Sequence, residues 1–188
     1  MKRLLIIIVL GFVFTLSSSA QDRTLIEGGE VYLLVKEITE AHEGIRSITS
    51  DFVQKKRSVL FSEDIVQKGN FQYEAPDTLI WKYTWPVEMK FDLGTATDKM
   101  SLMLKDMIVN TVTGAMLTDT KSFKVTYYTT RDETISVVLV PLAKRLQKMY
   151  KELTIVLDGT SLYAESISFV EANDDQTIII FNNQEVWK

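Results

Sequence analysis

The sequence predicts an α+β domain in which sheet dominates, and three features predict it. Over residues 69–86 large rings alternate with polar side chains, the period-two pattern of half-buried strands. Two segments, 31–45 and 98–118, carry apolar residues at helical spacing. From Phe123 onward, short apolar stretches are separated by polar turns.

The N-terminus is set apart from this pattern. Lys2 and Arg3 precede an apolar run over 4–16, and Ser17-Ser18-Ser19-Ala20 supplies small residues suited to cleavage. This is the pattern of a secretory signal peptide over 1–20, cleaved near Ala20, leaving a single domain over 21–188. The run is shorter than the roughly 20 apolar residues that span a bilayer. Losing Lys2 and Arg3 lowers the basic count from 21 to 19 against 25 acids, a net charge of −6. That balance disfavours nucleic acid as a partner. The 188-residue chain, 46% hydrophobic, can bury a substantial core, which it needs because it has no cysteine for disulfides. The absence of cysteine also excludes an acylated N-terminal cysteine, so the expected compartment is a bacterial periplasm.

In chain order, Val31, Leu34, Val35, Ile38, Ala41 and Ile45 form one helical stripe opposite Lys36, Glu37, Glu40 and Glu43, with Gly44 as the expected stop. His42, the only histidine, is expected at the surface or boundary of this helix. A strand is expected over 49–60. Its Lys55-Lys56-Arg57 cannot form one basic stripe, because alternate side chains point to opposite faces, and a solvated edge is the expected setting. A strand over 65–73 leads into the aromatic hairpin, turned by Ala75-Pro76-Asp77. After it, Leu79, Trp81, Tyr83 and Trp85 share one face. Val87, Met89 and Phe91 mark one more short strand.

The period then changes. Met100, Met103, Leu104, Met107 and Ile108 lie on one side of an expected helix, interrupted near 110–114. A methionine stripe is ordinarily core, but flexible thioethers also suit a surface that repacks around varied apolar ligands. Later strands are expected over 123–127, 134–140, 153–157, 162–170 and 177–181, with a basic connection over 141–149 that holds a short helical turn. Ile178 to Phe181 is apolar on both faces, so that strand should be covered twice or face a lined cavity.

These placed residues resemble the outer-membrane lipoprotein carrier family, the LolA-like periplasmic chaperones. The resemblance runs through Phe52-Val53-Gln54-Lys55, Gly69-Asn70-Phe71-Gln72-Tyr73, Pro76, Leu79-Ile80-Trp81-Lys82-Tyr83 and Pro86. It continues in Phe123-Lys124-Val125, Leu139-Val140-Pro141 and Thr177-Ile178-Ile179-Ile180-Phe181-Asn182. It implies an incomplete, strongly curved antiparallel β-barrel closed by the N-terminal helix and a helical lid. It implies an acyl-chain cavity with Phe52, Phe71, Tyr73, Trp81, Tyr83 and Met89 as lining, and Met100, Met103, Leu104, Met107 and Ile108 as lid. The implied partners are acylated lipoproteins, an inner-membrane lipoprotein-releasing transporter and an outer-membrane acceptor, with the carrier a monomer. Two departures stand out: Ala75 occupies the place of an arginine that latches the lid, and the stretch over 91–97 is short for the family.

Two other functions on such a scaffold are a glycolipid or lipid carrier and an acyl-chain-sensing regulator of envelope stress. A hydrolase is disfavoured. There is no Gly-x-Ser-x-Gly, the lone His42 lacks evident partners, and no His or Cys cluster offers a metal site. Glu63-Asp64 and Asp174-Asp175 are expected in solvated turns. No catalytic residue, metal or cofactor is expected. A purely structural β domain would leave the methionine helix without a purpose.

Overall fold

The computed structural model describes residues 23–76, 78–97 and 99–188, the side chains at 99, 100, 103 and 104 excepted. The expected signal peptide, Asp77 of the expected turn and Asp98 at the expected helix start lie outside the described residues. The elements in order are β1 (Arg23–Leu25), α1 (Gly29–His42), β2 (Ser47–Arg57), β3 (Ile65–Glu74), β4 (Thr78–Trp85) and β5 (Met89–Asp92). There follow α2 (Lys99–Val112), a 3-10 turn (Met116–Thr118), β6 (Phe123–Thr130), β7 (Ile135–Pro141), α3 (Lys144–Gln147), β8 (Tyr150–Leu157), β9 (Ala164–Glu171) and β10 (Gln176–Trp187).

All ten strands form one antiparallel sheet in the order β1-β6-β7-β8-β9-β10-β2-β3-β4-β5. The sheet is open, with β1 at one margin and β5 at the other. Alternation sets its apolar face. Ser50 opposes Phe71, Phe71 opposes Trp81, and Trp81 opposes Phe91. Side chains in register share a face, so Phe52, Phe71, Tyr73, Trp81, Tyr83 and Met89 all project to the same side. Leu139, Ile155, Ile167 and Ile179 from the other half of the sheet complete the core.

Gly69 permits the tightest part of this packing. A Cβ there would overlap the Lys82 carbonyl oxygen and stand 2.6 Å from Phe52 Cζ. With no side chain at 69, the Phe52 ring stacks on Trp81 at 4.1 Å between centroids, and Phe71 stacks on the same indole at 5.6 Å. A register shift between Lys68 and Gly69 accommodates the approach.

Four expectations are corrected. First, β2 lies between β10 and β3 rather than at an edge. Its Lys56 donates to Glu171 at 2.8 Å and stands 3.5 Å from Asp175, while Arg57 pairs with Asp64 at 2.9 Å. Second, Asp175 is buried rather than solvated, because it accepts from the Val59 N–H at 3.1 Å and faces Lys56. Third, Asn182-Asn183 does not end the last strand. Asn183 adopts φ 52°, a left-handed conformation that asparagine tolerates, and forms a bulge after which β10 resumes to Trp187.

Fourth, His42 is buried. Its Nδ1 donates to the Ile38 carbonyl at 2.8 Å, its ring meets Tyr163 edge-on at 5.6 Å, and it lies against Gly114. Gly114, at φ 74°, ends the turn beyond α2, and a Cβ there would stand 2.8 Å from His42 Cγ. The C-terminal ends of α1 and α2 therefore meet at this pair. Burial holds the imidazole below its ordinary pKa, against the hydrogen bond to Ile38 and with a smaller push from Lys188.

Candidate apolar ligand site

The sheet's apolar face is not filled evenly beneath α2. Two clefts flank this helix, one of about 1010 Å³ and one of about 680 Å³. Met107, Met149 and Tyr150 border both. The larger runs between α2, the 3-10 turn and α3, with Leu102, Met116, Phe123, Leu146 and Leu153 in its wall. The smaller lies between α2 and the sheet, walled by Tyr83, Phe91, Leu93, Phe169 and Ile179. These last side chains come from β4, β5, the loop after it, β9 and β10, so the sheet curls around the space.

Polar groups at the smaller cleft are mostly paired. The Tyr83 hydroxyl donates to Gln54 Oε1 at 3.1 Å, and Gln54 donates to Gln67 at 3.0 Å. Burial pushes the Tyr83 hydroxyl up, while the nearby Trp81 N–H and Gln54 work against it. That indole N–H is buried and falls short of full hydrogen-bond geometry with any acceptor. Tyr150 is likewise raised by burial, then by the charge of Glu171. Lys56 is raised chiefly by its hydrogen bond to Glu171. The floor is thus apolar surface with neutral hydroxyls and one internally compensated cation.

The sequence-derived residues are distributed unevenly about this space. Phe52, Phe71, Tyr73 and Trp81 are buried against one another and form the packed layer beside the clefts. Tyr83 borders the smaller cleft, and Met89 is exposed on β5 next to Tyr83 in register. Met107 separates the two clefts, whereas Ile108 is fully buried against the core. Met100, Met103 and Leu104 lie on α2, in its first half. Phe91, Met149, Tyr150, Phe169 and Ile179 were not singled out as lining. Phe91 had a signal, sharing the alternation of Met89, and so did Ile179, in the doubly apolar run of β10; Met149 and Tyr150 adjoin a segment whose charges mask them.

The C-terminal end of α2 is fastened. Ile108, Thr111 and Val112 are buried, and Gly114 rests on His42. Beyond them, the Tyr127 hydroxyl donates to the Leu117 carbonyl at 2.8 Å. Its other end begins at Lys99. Thr111 and Thr113 turn back to the carbonyls of Met107 and Val109, at 2.8 and 2.7 Å, bonds that favour bending over rigidity. Among the described residues no three His, Asp or Glu gather into a metal site.

No protein-family model and no curated protein matches the chain. Solved structures do. The chain is similar to a LolA superfamily protein from Nitrosomonas europaea, with TM-score 0.36 and 8% identity over 82% of this chain and 94% of that one. It is similar to a Vibrio parahaemolyticus domain described as an outer membrane lipoprotein-sorting protein, with TM-score 0.39 and 6% identity over 83% and 92%. It is also similar to the MucA/MucB complex of Pseudomonas aeruginosa, with TM-score 0.46 and 10% identity over 82% and 56%. At these values the overlays carry no functional argument.

Proposed function

We infer that the protein is a periplasmic carrier of lipoprotein acyl chains, holding hydrocarbon in the clefts beneath α2 and releasing it when that helix returns. The observation that supports this most is the pair of apolar clefts that flank α2 and share Met107, Met149 and Tyr150 as their common border. Each buried CH₂ contributes about 0.8 kcal/mol, so a long acyl chain contributes roughly 10 kcal/mol. Such affinity alone would hinder release. Entry of a chain displaces Met107 and its neighbours from their own burial, which offsets part of that gain and keeps binding reversible. The aromatic layer of Phe52, Phe71, Tyr73 and Trp81 serves as the rigid wall, with Tyr83 and Met89 toward the opening. Met100, Met103, Leu104 and Met107 belong to the moving lid, and Ile108 to the end about which it hinges. No covalent step is required. An inner-membrane transporter loads the carrier, and an outer-membrane acceptor empties it.

Uptake of a fluorescent fatty acid and of a purified acylated lipoprotein tests this reading. The parent should bind both, and Met107→Glu should weaken binding by more than about tenfold, because a carboxylate then occupies the apolar divide. Met149→Glu is the companion variant, since Met149 is only half-buried and its folding is not at stake. If the parent takes up neither probe, or both variants match it, the site is wrong.

A further inference from the structure

One end of the sheet bears an apolar projection that the clefts do not use. The β2–β3 loop presents Val59, Leu60 and Phe61 at 65%, 84% and 63% exposure. A run of three exposed large apolar side chains is costly on a soluble surface unless something covers it. The loop is nevertheless built to hold them out. Arg57 clasps Asp64 across its base with hydrogen bonds of 2.9 and 3.2 Å. Val59 N–H donates to Asp175, Leu60 N–H to Ser58 Oγ at 3.3 Å, and Phe61 N–H to the Ser58 carbonyl at 3.2 Å. Asp175 is held below the usual carboxylate range, first by its hydrogen bond from Ser58.

Strand register gathers more of the same chemistry at this end. Arg57 opposes Gln176, Lys68 opposes Trp85, and Tyr150 opposes Glu171. The β4–β5 turn and the α3 segment therefore share the rim, adding exposed Trp85, Val87 and Leu142. The rim's acids are largely neutralised from within: Asp64 by Arg57, Glu171 and Asp175 by Lys56, Glu88 by Lys82, and Asp174 by Lys151. Lys144, Arg145 and Lys148 have no ion-pair partner within 4 Å among the described residues, although Asp106 and Asp119 border the same cleft as Arg145. In a chain with an acid excess, this local set of cations orients the molecule toward negative surfaces.

We propose that this rim docks on a lipid bilayer with anionic headgroups, Val59, Leu60 and Phe61 entering the interfacial layer and Lys144, Arg145 and Lys148 meeting headgroup phosphates. Apolar tips and flanking cations are the two components of reversible interfacial binding. Arg145 borders the larger cleft and Lys148 the smaller, so docking sets both openings beside lipid. The inference stands on the rim and not on what the clefts hold.

Co-sedimentation of the intact protein with phosphatidylcholine vesicles, and with vesicles of phosphatidylcholine and phosphatidylglycerol in equal parts, provides the test. Binding is expected to the mixed vesicles and to be much weaker with phosphatidylcholine alone. The double variant Leu60→Glu, Phe61→Glu should lose at least about tenfold in partitioning, since burying either side chain contributes about 2 kcal/mol. Arg145→Glu with Lys148→Glu should lose a similar factor on mixed vesicles only. Trp187→Ser, at the opposite end of the sheet, should bind as the parent does. These variants change exposed side chains, and an unaltered far-ultraviolet circular dichroism spectrum and thermal midpoint would show them folded. A parent that binds neither vesicle overturns the proposal and leaves the rim to a protein partner. Equal binding by the Leu60, Phe61 variant, or equal affinity for both vesicle types, overturns it as well.

Discussion

Replacing Gly69 with alanine tests whether the aromatic layer is as closely fitted as its geometry implies. The new methyl overlaps the Lys82 carbonyl oxygen and stands 2.6 Å from Phe52 Cζ. Neither neighbour can yield cheaply. The carbonyl belongs to β4, which is paired on both sides, and the Phe52 ring is buried on Trp81 at 4.1 Å. Overpacking a well-filled core costs about 1–3 kcal/mol, and a backbone obstacle places this case near the upper end, roughly 3 kcal/mol. For a domain of this size, that lowers the midpoint of thermal unfolding by about 6–12 °C. Near-ultraviolet circular dichroism is the suitable assay, because the Phe52, Trp81 and Phe71 stack supplies its signal. Adding Phe52→Leu should restore part of the loss, a coupling that a double-mutant cycle measures. Gly29→Ala serves as the contrast. Nothing lies within 4 Å of its Cβ position, so a gain of about 0.5 kcal/mol is expected from reduced freedom of the unfolded chain. A Gly69→Ala protein that melts with the parent would refute the close fit and, with it, the rigid wall.

Two other predictions concern the ends of α1 and α2. His42 is held below its ordinary pKa by burial, so the unfolded chain takes up a proton that the folded one resists. Stability should therefore be flat above about pH 6.5 and fall below it, and His42→Leu should flatten that slope in urea titrations between about pH 7 and pH 5. An unchanged slope counts against the buried imidazole. The Tyr127 hydroxyl donates to Leu117, and burial pushes its pKa up to about 12. Tyr127→Phe strands a carbonyl and should cost about 1–2 kcal/mol in thermal unfolding. A raised folded pKa means that the parent's stability is complete below about pH 10 and declines as pH rises toward 12, a decline that should be smaller in the variant. Identical melting and identical alkaline decline would remove Tyr127 as the anchor of the 3-10 turn.

Period carried most of the fold into the sequence. Phe71, Tyr73, Leu79, Trp81 and Tyr83 announce their strands because one face is buried and the other wet, and Leu34 and Ile38 announce α1 for the same reason. What period cannot convey is which strands neighbour one another. β2 looked like an edge because Lys55, Lys56 and Arg57 are charged, yet the compensating acids lie 115 residues away at Glu171. His42 looked superficial because its sequence neighbours are acidic, while Tyr163 and Gly114, which enclose it, are remote. β1 is three exposed residues whose pairing with β6 leaves no pattern of its own. Of the candidate site, methionine density marked α2 and ring alternation marked Tyr83, which borders the smaller cleft, but the other walls come from strands and loops distant in sequence, a convergence that period does not encode.

The sheet keeps two unjoined margins, β1 and β5, and so does not close into a tube. A closed tube admits a guest only through its mouth and must swallow whatever the guest is joined to. On the function proposed above, an open sheet can grip a tail from the side while a bulky soluble body rides outside, so the size of a passenger would be limited by its hydrocarbon anchor and not by the protein attached to it.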